Sequence, residues 1–367
     1  MKIAIIAITR NGARLGAQLR KGLGTAELYV SRKYGGQAGK CAVQFDGELR
    51  ELVAKLWPPS QPSPRRGEGE GGGEAYSGFV FIMAAGIVVR MIAPHLEGKE
   101  IDPAVVVMDD AGKFAISLLS GHLGGGNELA SRSAFLTGAR AVITTATDAN
   151  ELPSFDMLAK DHGWVIEDLS RVKLLNSLLL DNEEIAVTDS TGHVRPYFHG
   201  RGRLVFHDTF VAALRSGARG LLVVSNSVIP PQLQSERLLV LRPKNLVLGI
   251  GCNSGTESDE IEAVVKSQLK RLFLSPSSIR CIATAEAKRQ ETGLTACAER
   301  LGVPLLFFAS DQLSAVPTPS PPSEHALAAI GATGVAEPAA LLASAGGTLL
   351  LKKVKSGNVT LAIAEVV

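Results

Sequence analysis

The chain has 367 residues, of which 46% are hydrophobic and 20% are charged, a composition typical of a globular protein with a sizeable core. Single hydrophobic cores rarely grow beyond about 250–300 residues, so the length predicts two or three domains. Lys and Arg total 38 and Asp and Glu total 36, and this near balance excludes a general positive field for holding nucleic acid or an anionic membrane. We therefore expect neither as a partner.

The cysteines and the hydropathy pattern bear on the compartment. Cys41, Cys252, Cys281 and Cys297 are widely separated, which matches neither a zinc site nor a disulfide framework, so we expect reduced thiols and no metal site of the protein's own. No apolar run approaches the roughly 20 residues that span a bilayer. The apolar segment Met1–Ile8 is followed at once by polar residues, so we interpret it as a first strand and expect a cytoplasmic protein.

An N-terminal α/β domain is predicted over residues 1–146. Its predicted elements are, in chain order, a strand at 1–8, a helix at 11–24, a strand at 79–83, a helix at 87–96, strands at 104–108 and 114–119 that pair as a hairpin, a helix at 127–136 and a strand at 142–145. Residues 58–78 are rich in Pro, Gly and charge and nearly free of apolar residues, so they predict a disordered insertion. The alternative for this segment is a partner-binding region.

Two further domains are predicted, a middle domain at 147–243 and a C-terminal domain at 244–367. The middle domain contains a Leu-rich helix at 172–180 and strands at 184–188, 221–225 and 238–241. The C-terminal domain alternates strands at 246–250, 279–284, 305–308, 348–352 and 359–364 with helices at 258–272, 292–301 and 337–345. The predicted fold class is α/β: a multidomain chain of several small three-layer, doubly wound domains with largely parallel or mixed sheets.

The densest polar cluster is the glycine-rich turn at 120–128, between a predicted strand and a predicted helix. His122 is a candidate general base or orienting donor and Glu128 is its candidate partner or a second base, because imidazole and carboxylate groups transfer protons near neutral pH. The helix start is predicted to offer unpaired N–H donors to a carboxylate or phosphate. The candidate substrate contacts at this turn are Gly121, Gly124, Gly125, Gly126 and Asn127. The alternative is a tight structural turn in which Asn127 caps the helix.

Two charged residues of the same domain are candidate substrate contacts. Arg90 follows the small residues Met83–Gly86 on the next predicted helix, a placement suited to a carboxylate clamp, although a surface arginine would give the same pattern. Asp109 ends a predicted strand, where side chains often face the ligand crevice of an open α/β sheet. An acidic turn before Gly112 is the alternative for Asp109.

A third cluster, at 249–256, follows a strand and precedes a helix. Its spacing is G-x-G-x-x-x-G, and the acidic residue expected about 20 positions further on in a dinucleotide site is missing, so nicotinamide binding is disfavoured. Gly251, Cys252 and Asn253 remain candidate substrate contacts. Cys252 at a helix start could be a nucleophile, but a buried thiol is the more common reason for such a residue.

Lysines near the C-terminus form the last candidate cluster. The segment Lys352–Asn358 is predicted to join two strands, and Lys352, Lys353 and Ser356 could contact substrate carboxylates. A solvated hairpin is the alternative explanation.

Taken together, these segments resemble the CbiG family. FIMAAGIVVRMIAPHLEGKEIDPAVVVMDDAGKFAISLLSGHLGGGNELA at 81–130 and ITTATD at 143–148 resemble its amino-terminal signature. LVLGIGCNSGT at 246–256, ATAEAKRQETGL at 283–294, GVAEPAALLA at 334–343 and KSGNVTLAIAE at 355–365 resemble its last domain, which also occurs as the free-standing CobE protein. The insertion before residue 79 departs from the family pattern.

The resemblance implies hydrolysis of the δ-lactone of cobalt-precorrin-5A, with release of acetaldehyde and formation of cobalt-precorrin-5B. It implies a small corrinoid substrate that carries its own cobalt, no separate cofactor, and transient contacts with precorrin methyltransferases. A non-catalytic protein that binds or carries corrinoid intermediates is the alternative function. A nicotinamide oxidoreductase is a third hypothesis, which predicts thermal stabilisation by NAD or NADP.

Overall fold

A computed structural model of the chain describes residues 1–39, 41–58, 75–98, 101–150 and 152–366. Two compact units are present, Met1–Leu152 and Pro153–Val367. Among the described residues, the first unit contains one β-sheet and the second contains two. The predicted α/β fold class with mixed sheets is confirmed. The predicted boundary between a middle and a C-terminal domain at 243/244 stays a prediction, because the sheets on both sides of it lie in the second unit.

The sheet of the first unit has seven strands: β1 (Ile3–Ala7), β2 (Ala26–Ser31), β3 (Val43–Phe45), β4 (Gly78–Ile82), β5 (Ala104–Met108), β6 (Phe114–Leu119) and β7 (Arg140–Val142). Their order is β3-β2-β1-β4-β5-β6-β7. The first five run parallel, and β6 is antiparallel to β5, which confirms the predicted hairpin.

Helices cover both faces of this sheet. They are α1 (Arg10–Leu23), α2 (Gly35–Ala38), α3 (Leu49–Leu56), α4 (Ala85–Ile92), α5 (Gly126–Thr137) and α6 (Ala146–Ala149). Apolar residues of α1 and α5 pack on one face, and those of α3 and α4 pack on the other. The central strands β1, β4 and β5 are buried along their whole length, which explains why they are continuous apolar runs in the sequence.

The strand order reverses at β1. Strand β2 pairs with β1 on one side and β4 pairs with it on the other, so the chain winds outward in both directions from this point. A crevice forms outside the carboxyl ends of strands where such a reversal occurs, and ligands of open α/β sheets commonly bind there. In the first unit this edge follows Ala7 and Ile82.

The predicted insertion at 58–78 is partly corrected. Residues 59–74 lie outside the described residues. At its C-terminal end the prediction is wrong, because Gly78 begins β4 and Tyr76 is buried. The hydroxyl of Tyr76 donates to Glu27 Oε2 at 2.5 Å, which fixes the entry into the strand.

The first sheet of the second unit has five strands: β8 (Val165–Ile166), β9 (Ile185–Asp189), β10 (Leu204–Phe206), β11 (Gly220–Val224) and β12 (Leu238–Arg242). The order is β10-β9-β11-β12-β8, with only β8 antiparallel among these strands. The accompanying helices are α7 (Phe155–Asp161), α8 (Leu169–Leu180), α9 (Val194–Phe198) and α10 (Phe210–Arg215). Here the strand order reverses between β9 and β11.

A buried arginine links the end of one strand of this sheet to neighbouring segments. Arg242, at the end of β12, is only 1% exposed. Its Nε donates to Glu167 Oε1 at 2.6 Å, and one terminal nitrogen donates to the carbonyl oxygens of Ser225 and Ser227 at 2.7 and 2.5 Å. The guanidinium therefore ties β12 to the segment that follows β11, and its charge is paired inside the protein.

The second sheet of this unit has strands β13 (Leu246–Cys252), β14 (Ile279–Ala285), β15 (Leu305–Phe308), β16 (Thr348–Ser356) and β17 (Val359–Glu365), in the order β15-β14-β13-β17-β16. Its helices are α11 (Ser258–Arg271), α12 (Thr292–Leu301), α13 (Ser310–Ala315), α14 (Glu324–Ile330) and α15 (Ala336–Ala343). Helices α11 and α12 pack on one face, and α13 and α15 pack on the other.

The connection between two strands that was predicted at Lys352–Asn358 is shorter in the structure. Lys352, Lys353 and Ser356 belong to β16, which pairs antiparallel with β17 up to Ser356 and Val359. The turn is therefore confined to Gly357 and Asn358, because the pairing of β16 with β17 continues through the lysine-rich segment.

We predict that Gly249→Ala destabilises the second unit. A Cβ atom at this position would lie 1.8 Å from the carbonyl oxygen of Ala336, the first residue of α15. Relief of this overlap would require α15 to move away from β13, and overpacking of this kind costs about 1–3 kcal/mol. Urea denaturation followed by far-UV circular dichroism measures the change. Gly334→Ala is the matched control, because its nearest neighbour would be 3.8 Å away, and an unchanged midpoint for Gly249→Ala would contradict the packing.

Candidate functional site

The glycine-rich turn after β6 pairs three of its backbone N–H donors internally. The N–H groups of Gly125, Gly126 and Asn127 donate to the carbonyl oxygens of His122, Ser120 and Gly121 at 3.0, 2.9 and 2.9 Å. The prediction that this helix start offers unpaired donors to an anion is therefore wrong for these three groups. The physical reason is that the turn folds back on itself before α5 begins.

The glycines of this turn are required by its compactness. A Cβ atom at Gly124 would lie 2.4 Å from Ser120 Cβ, and one at Gly126 would lie 2.5 Å from the carbonyl oxygen of Leu119. Gly125 has φ +84°, in the left-handed region that glycine adopts without strain. The glycine pattern thus has a structural cause, and its contact with substrate stays a prediction.

His122 is held by the helix that follows β7. Its Nε2 lies 2.5 Å from Asp148 Oδ2 and 3.2 Å from Thr147 Oγ1, and both partners belong to α6. The His122 side chain is 15% exposed and that of Asp148 is 39% exposed, so the pair lies at the protein surface and is partly shielded from water. A carboxylate in this position orients the imidazole ring.

Asn127 joins the same network from the first turn of α5. Its Nδ2 donates to Asp148 Oδ2 at 2.9 Å and to Thr145 Oγ1 at 3.0 Å, while its Oδ1 accepts from Ser117 Oγ at 2.7 Å. Asn127 is buried, and its side chain connects β6 to the segment after β7. It is more than a helix cap, because both ends of its amide are used across the fold.

The hypothesis from the sequence paired His122 with Glu128, whereas in the structure the carboxylate that contacts His122 is that of Asp148. Glu128 is exposed, and it makes no hydrogen bond or ion pair with the described part of the chain. Asp148 was missed as a partner because it lies 26 residues after His122. The only signal was its position in ITTATD, just after a predicted strand end.

Arg90 and Asp109 lie at the other edge of the sheet from His122. Strand β6 is antiparallel to β5, with Leu119 opposite Val105, so the turn after β6 lies beside the start of β5. Arg90 on α4 and Asp109 after β5 follow the strand ends at the opposite edge. Because each residue of a strand spans about 3.3 Å, the two edges of this sheet are roughly 15 Å apart.

Local contacts account for both of these side chains. Asp109 accepts from the backbone N–H groups of Ala111 and Phe114 at 2.9 and 2.7 Å, so it shapes the β5–β6 turn. Arg90 is exposed and donates to the carbonyl oxygen of Gly86 at 3.2 Å. The start of α4 consists of exposed small residues without a capping side chain, at the edge where the strand order reverses. A carboxylate contact at Arg90 stays a prediction.

The neighbouring Asp110 is also engaged. Its Oδ1 accepts from the hydroxyl of Thr9, which caps α1, and from the N–H of Gly12 at 3.0 Å. This carboxylate stabilises the positive end of α1.

In the second unit, the predicted residues at the end of β13 meet the β16–β17 turn. The N–H and Nδ2 of Asn253 donate to the carbonyl oxygen and Oδ1 of Asn358 at 3.0 and 2.8 Å. Cys252 pairs with Val359, and Val359 pairs with Ser356, so the strands bring these positions together. Gly251 lies one residue earlier on β13.

Cys252 has the wrong environment for a nucleophile. Burial, together with nearby carboxylates, raises the pKa of its thiol to about 11, although Lys288 opposes this shift. The thiolate is the reactive form of cysteine. Cys252 is half-buried, so its environment argues against a nucleophile, and its contact with substrate stays a prediction.

The two lysines of β16 have different surroundings. Lys352 is exposed. Lys353 donates from Nζ to the carbonyl oxygen of Pro321 at 2.9 Å, and its N–H donates to the buried carboxylate of Glu337 at 2.8 Å. Lys352 is thus the more accessible of the two to a substrate carboxylate.

The described residues contain neither a cluster of metal-ligating side chains nor a membrane-spanning helix. Within them, no group of three or more His, Cys, Asp or Glu side chains could hold a metal ion. No helix in the same ranges is long and apolar enough to cross a membrane.

Comparisons with known proteins cover all three sheets. Residues 73–148 match the model "Cobalamin synthesis G N-terminal", residues 153–243 match "Cobalamin biosynthesis central region" and residues 246–364 match "Cobalamin synthesis G C-terminus". A cobalt-precorrin-5A hydrolase of Priestia megaterium is 34% identical over 98% of this chain and 94% of its own length. The chain belongs to the cobalamin synthesis G (CbiG) family.

Two further relatives extend this result. A cobalt-precorrin-5A hydrolase of Salmonella typhimurium is 31% identical over 78% of this chain and 82% of its own length. The protein CobE of Sinorhizobium sp. is 34% identical over 32% of this chain and 79% of its own length. In CbiG terms, the His122 network lies in the N-terminal region and Cys252 lies in the C-terminal region.

We predict slow alkylation of Cys252. With a thiol pKa of about 11, about 0.1% of the group is thiolate at pH 8, and this fraction rises tenfold with each pH unit until about pH 11. Iodoacetamide labelling followed by peptide mass spectrometry should modify exposed Cys41 first at pH 8. Equal labelling rates of Cys41 and Cys252 at pH 8 would show that Cys252 is an activated thiol.

Proposed function

We propose that this chain is a cobalt-precorrin-5A hydrolase of cobalamin biosynthesis. It opens the δ-lactone of the macrocycle and releases acetaldehyde, which gives cobalt-precorrin-5B. The observation that carries the proposal is the similarity to a cobalt-precorrin-5A hydrolase, which extends over 98% of the chain.

The His122–Asp148 pair fits the proton chemistry of this reaction. Lactone hydrolysis needs a base that takes a proton from the attacking water and donors that stabilise the tetrahedral oxyanion. In our proposal the imidazole of His122 takes the proton, and the negative charge of Asp148, 2.5 Å from Nε2, stabilises the imidazolium that forms. Asn127 and Thr147 keep this pair in position through their hydrogen bonds.

We place the reaction at the edge of the sheet that carries His122, because an imidazole and a carboxylate meet there. Arg90 and the start of α4 lie at the opposite edge, roughly 15 Å away across the strands. They are therefore proposed contacts for substrate carboxylates outside the reacting centre. Lys352, Lys353, Ser356 and the end of β13 are proposed contacts of the same kind in the second unit.

We propose that the protein needs no cofactor of its own, with cobalt carried by the substrate. The conjugated ring and its metal would accept charge as the carbon–carbon bond breaks. A cytoplasmic location is proposed because all four cysteines are free thiols, as is usual in a reducing compartment. Transient contacts with precorrin methyltransferases are proposed from the family's place in corrin synthesis.

We expect acetaldehyde when the purified protein is incubated with cobalt-precorrin-5A, in an amount equal to the cobalt-precorrin-5B formed. A coupled alcohol dehydrogenase assay measures the acetaldehyde, and heat-denatured protein is the control. Protein that has been dialysed against EDTA should retain its rate if no resident metal takes part. Binding of the substrate without acetaldehyde release would favour a corrinoid carrier instead.

Substitutions test the roles of His122 and Asp148. His122→Ala should lower kcat on the order of 10²-fold or more, because a proton-transfer group is lost. Asp148→Asn keeps the shape and removes the charge, so kcat should fall at least about tenfold. His199→Asn is the control, since His199 is exposed in a left-handed conformation that Asn tolerates.

Glu128→Gln decides between the two partners of His122. Because Glu128 is exposed at the helix start, its loss should cost less than Asp148→Asn. A larger loss in Glu128→Gln would restore the pairing predicted from the sequence. Wild-type kcat in His122→Ala would remove the reacting centre from this turn.

A further inference from the structure

A cavity of about 660 Å³ opens at the carboxyl ends of β9, β10 and β11. It lies where the strand order of this sheet reverses, between β9 and β11. This is the position at which open parallel sheets most often bind ligands. Its volume falls within the range of about 300–1,000 Å³ that is usual for pockets that hold small organic molecules.

Two buried polar atoms in the cavity wall have no partner. Thr188 Oγ1 and His207 Nε2 are both shielded from solvent, and neither forms a hydrogen bond with the described residues. Buried polar groups are nearly always paired, and an unpaired one costs about 1–3 kcal/mol. Because both atoms have almost no solvent-accessible surface, a ligand in the cavity would supply the missing hydrogen bonds only after the side chain rotates toward it.

The cavity also contains a cation without an acidic partner. The guanidinium of Arg195 lies 4.0 Å from the ring centre of Phe206, and it forms no ion pair within the described ranges. The nearby Asp189 is already engaged, because its carboxylate accepts from the N–H and hydroxyl of Thr191 and from the N–H of Val194 at 2.7–2.8 Å. Asp208 is exposed in the cavity wall, where its charge is screened by water.

Apolar side chains and three serines form much of the remaining wall. Phe206, Phe210, Val223 and Ile229 contribute most of the nonpolar side chains around the polar groups. The site therefore matches an organic anion with an apolar or conjugated body, whose carboxylate meets Arg195, Thr188 and His207.

We infer that this cavity binds a carboxylate arm of the corrinoid, with the adjoining part of the ring against the aromatic walls. The identity of the ligand rests on the proposed function, whereas the preference for an anionic group rests on Arg195 in the cavity itself. The site assigns substrate binding to the sheet of β8–β12, in which no candidate residue was predicted from the sequence.

The test uses the full-length chain and isothermal titration calorimetry. Cobyrinic acid is a stable corrinoid with free carboxylates, and cobinamide is the matched probe in which amides replace them. We expect cobyrinic acid to bind at least tenfold more tightly than cobinamide, and Arg195→Gln to remove most of this difference. Arg215→Gln is the control, because this arginine is exposed on the same sheet's α10 and does not line the cavity.

Thr188→Val supplies a second measurement, which distinguishes ligand binding by the Thr188 hydroxyl from a purely structural role. Loss of the unpaired hydroxyl should leave the melting temperature unchanged or higher, while cobyrinic acid binds at least threefold more weakly. Unchanged binding in both Arg195→Gln and Thr188→Val would overturn the inference. Acetate that competes as well as cobyrinic acid would overturn the corrinoid as the ligand.

Acetaldehyde release by the same preparations separates this inference from the proposed function. A wild-type protein that releases acetaldehyde, together with an unchanged KM in Arg195→Gln, would refute the cavity as a substrate site and leave the function standing. Conversely, a protein that releases no acetaldehyde but binds cobyrinic acid through Arg195 would refute the function and leave the cavity as a corrinoid site.

Discussion

One carboxylate oxygen, Asp148 Oδ2, holds the proposed reacting centre together. It meets His122 from the turn after β6 and Asn127 from the start of α5, while Asp148 itself lies on α6. The turn and the helix start that follows it are thus fixed to α6, more than 20 residues further along the chain, by a single charged group. The orientation of the imidazole depends on where the chain goes after β7, and the glycine-rich turn that attracts attention in the sequence provides only part of the site.

The same turn shows why composition is a poor guide to anion binding. Glycines before a helix suggest open N–H groups, but here the turn is so compact that three of them are paired with its own carbonyl groups. In the first unit, His122 lies at one edge of the sheet and Arg90 and Asp109 lie at the other, roughly 15 Å away, so these side chains cannot contact the same group of one ligand.

Much of the fold could be predicted from the sequence. Buried parallel strands are continuous apolar runs, so β4 and β5 were predicted within one residue of their ends. Short elements such as β8 and β10 were missed, because two or three residues are too few to show a period. The contacts of Asp148 and of the cavity residues could not be predicted for another reason. Strand order decides which loops lie close together, and no local sequence pattern specifies strand order.

Arg242 has a consequence for the cavity of the same sheet. Its buried guanidinium holds the carbonyl oxygens of Ser225 and Ser227, and both of these residues line that cavity. This part of the wall is already ordered in the folded chain, so an incoming molecule does not have to immobilise it. The conformational entropy of this segment is lost during folding and not on binding. Preorganisation of this kind favours tight and selective binding over an adaptable fit.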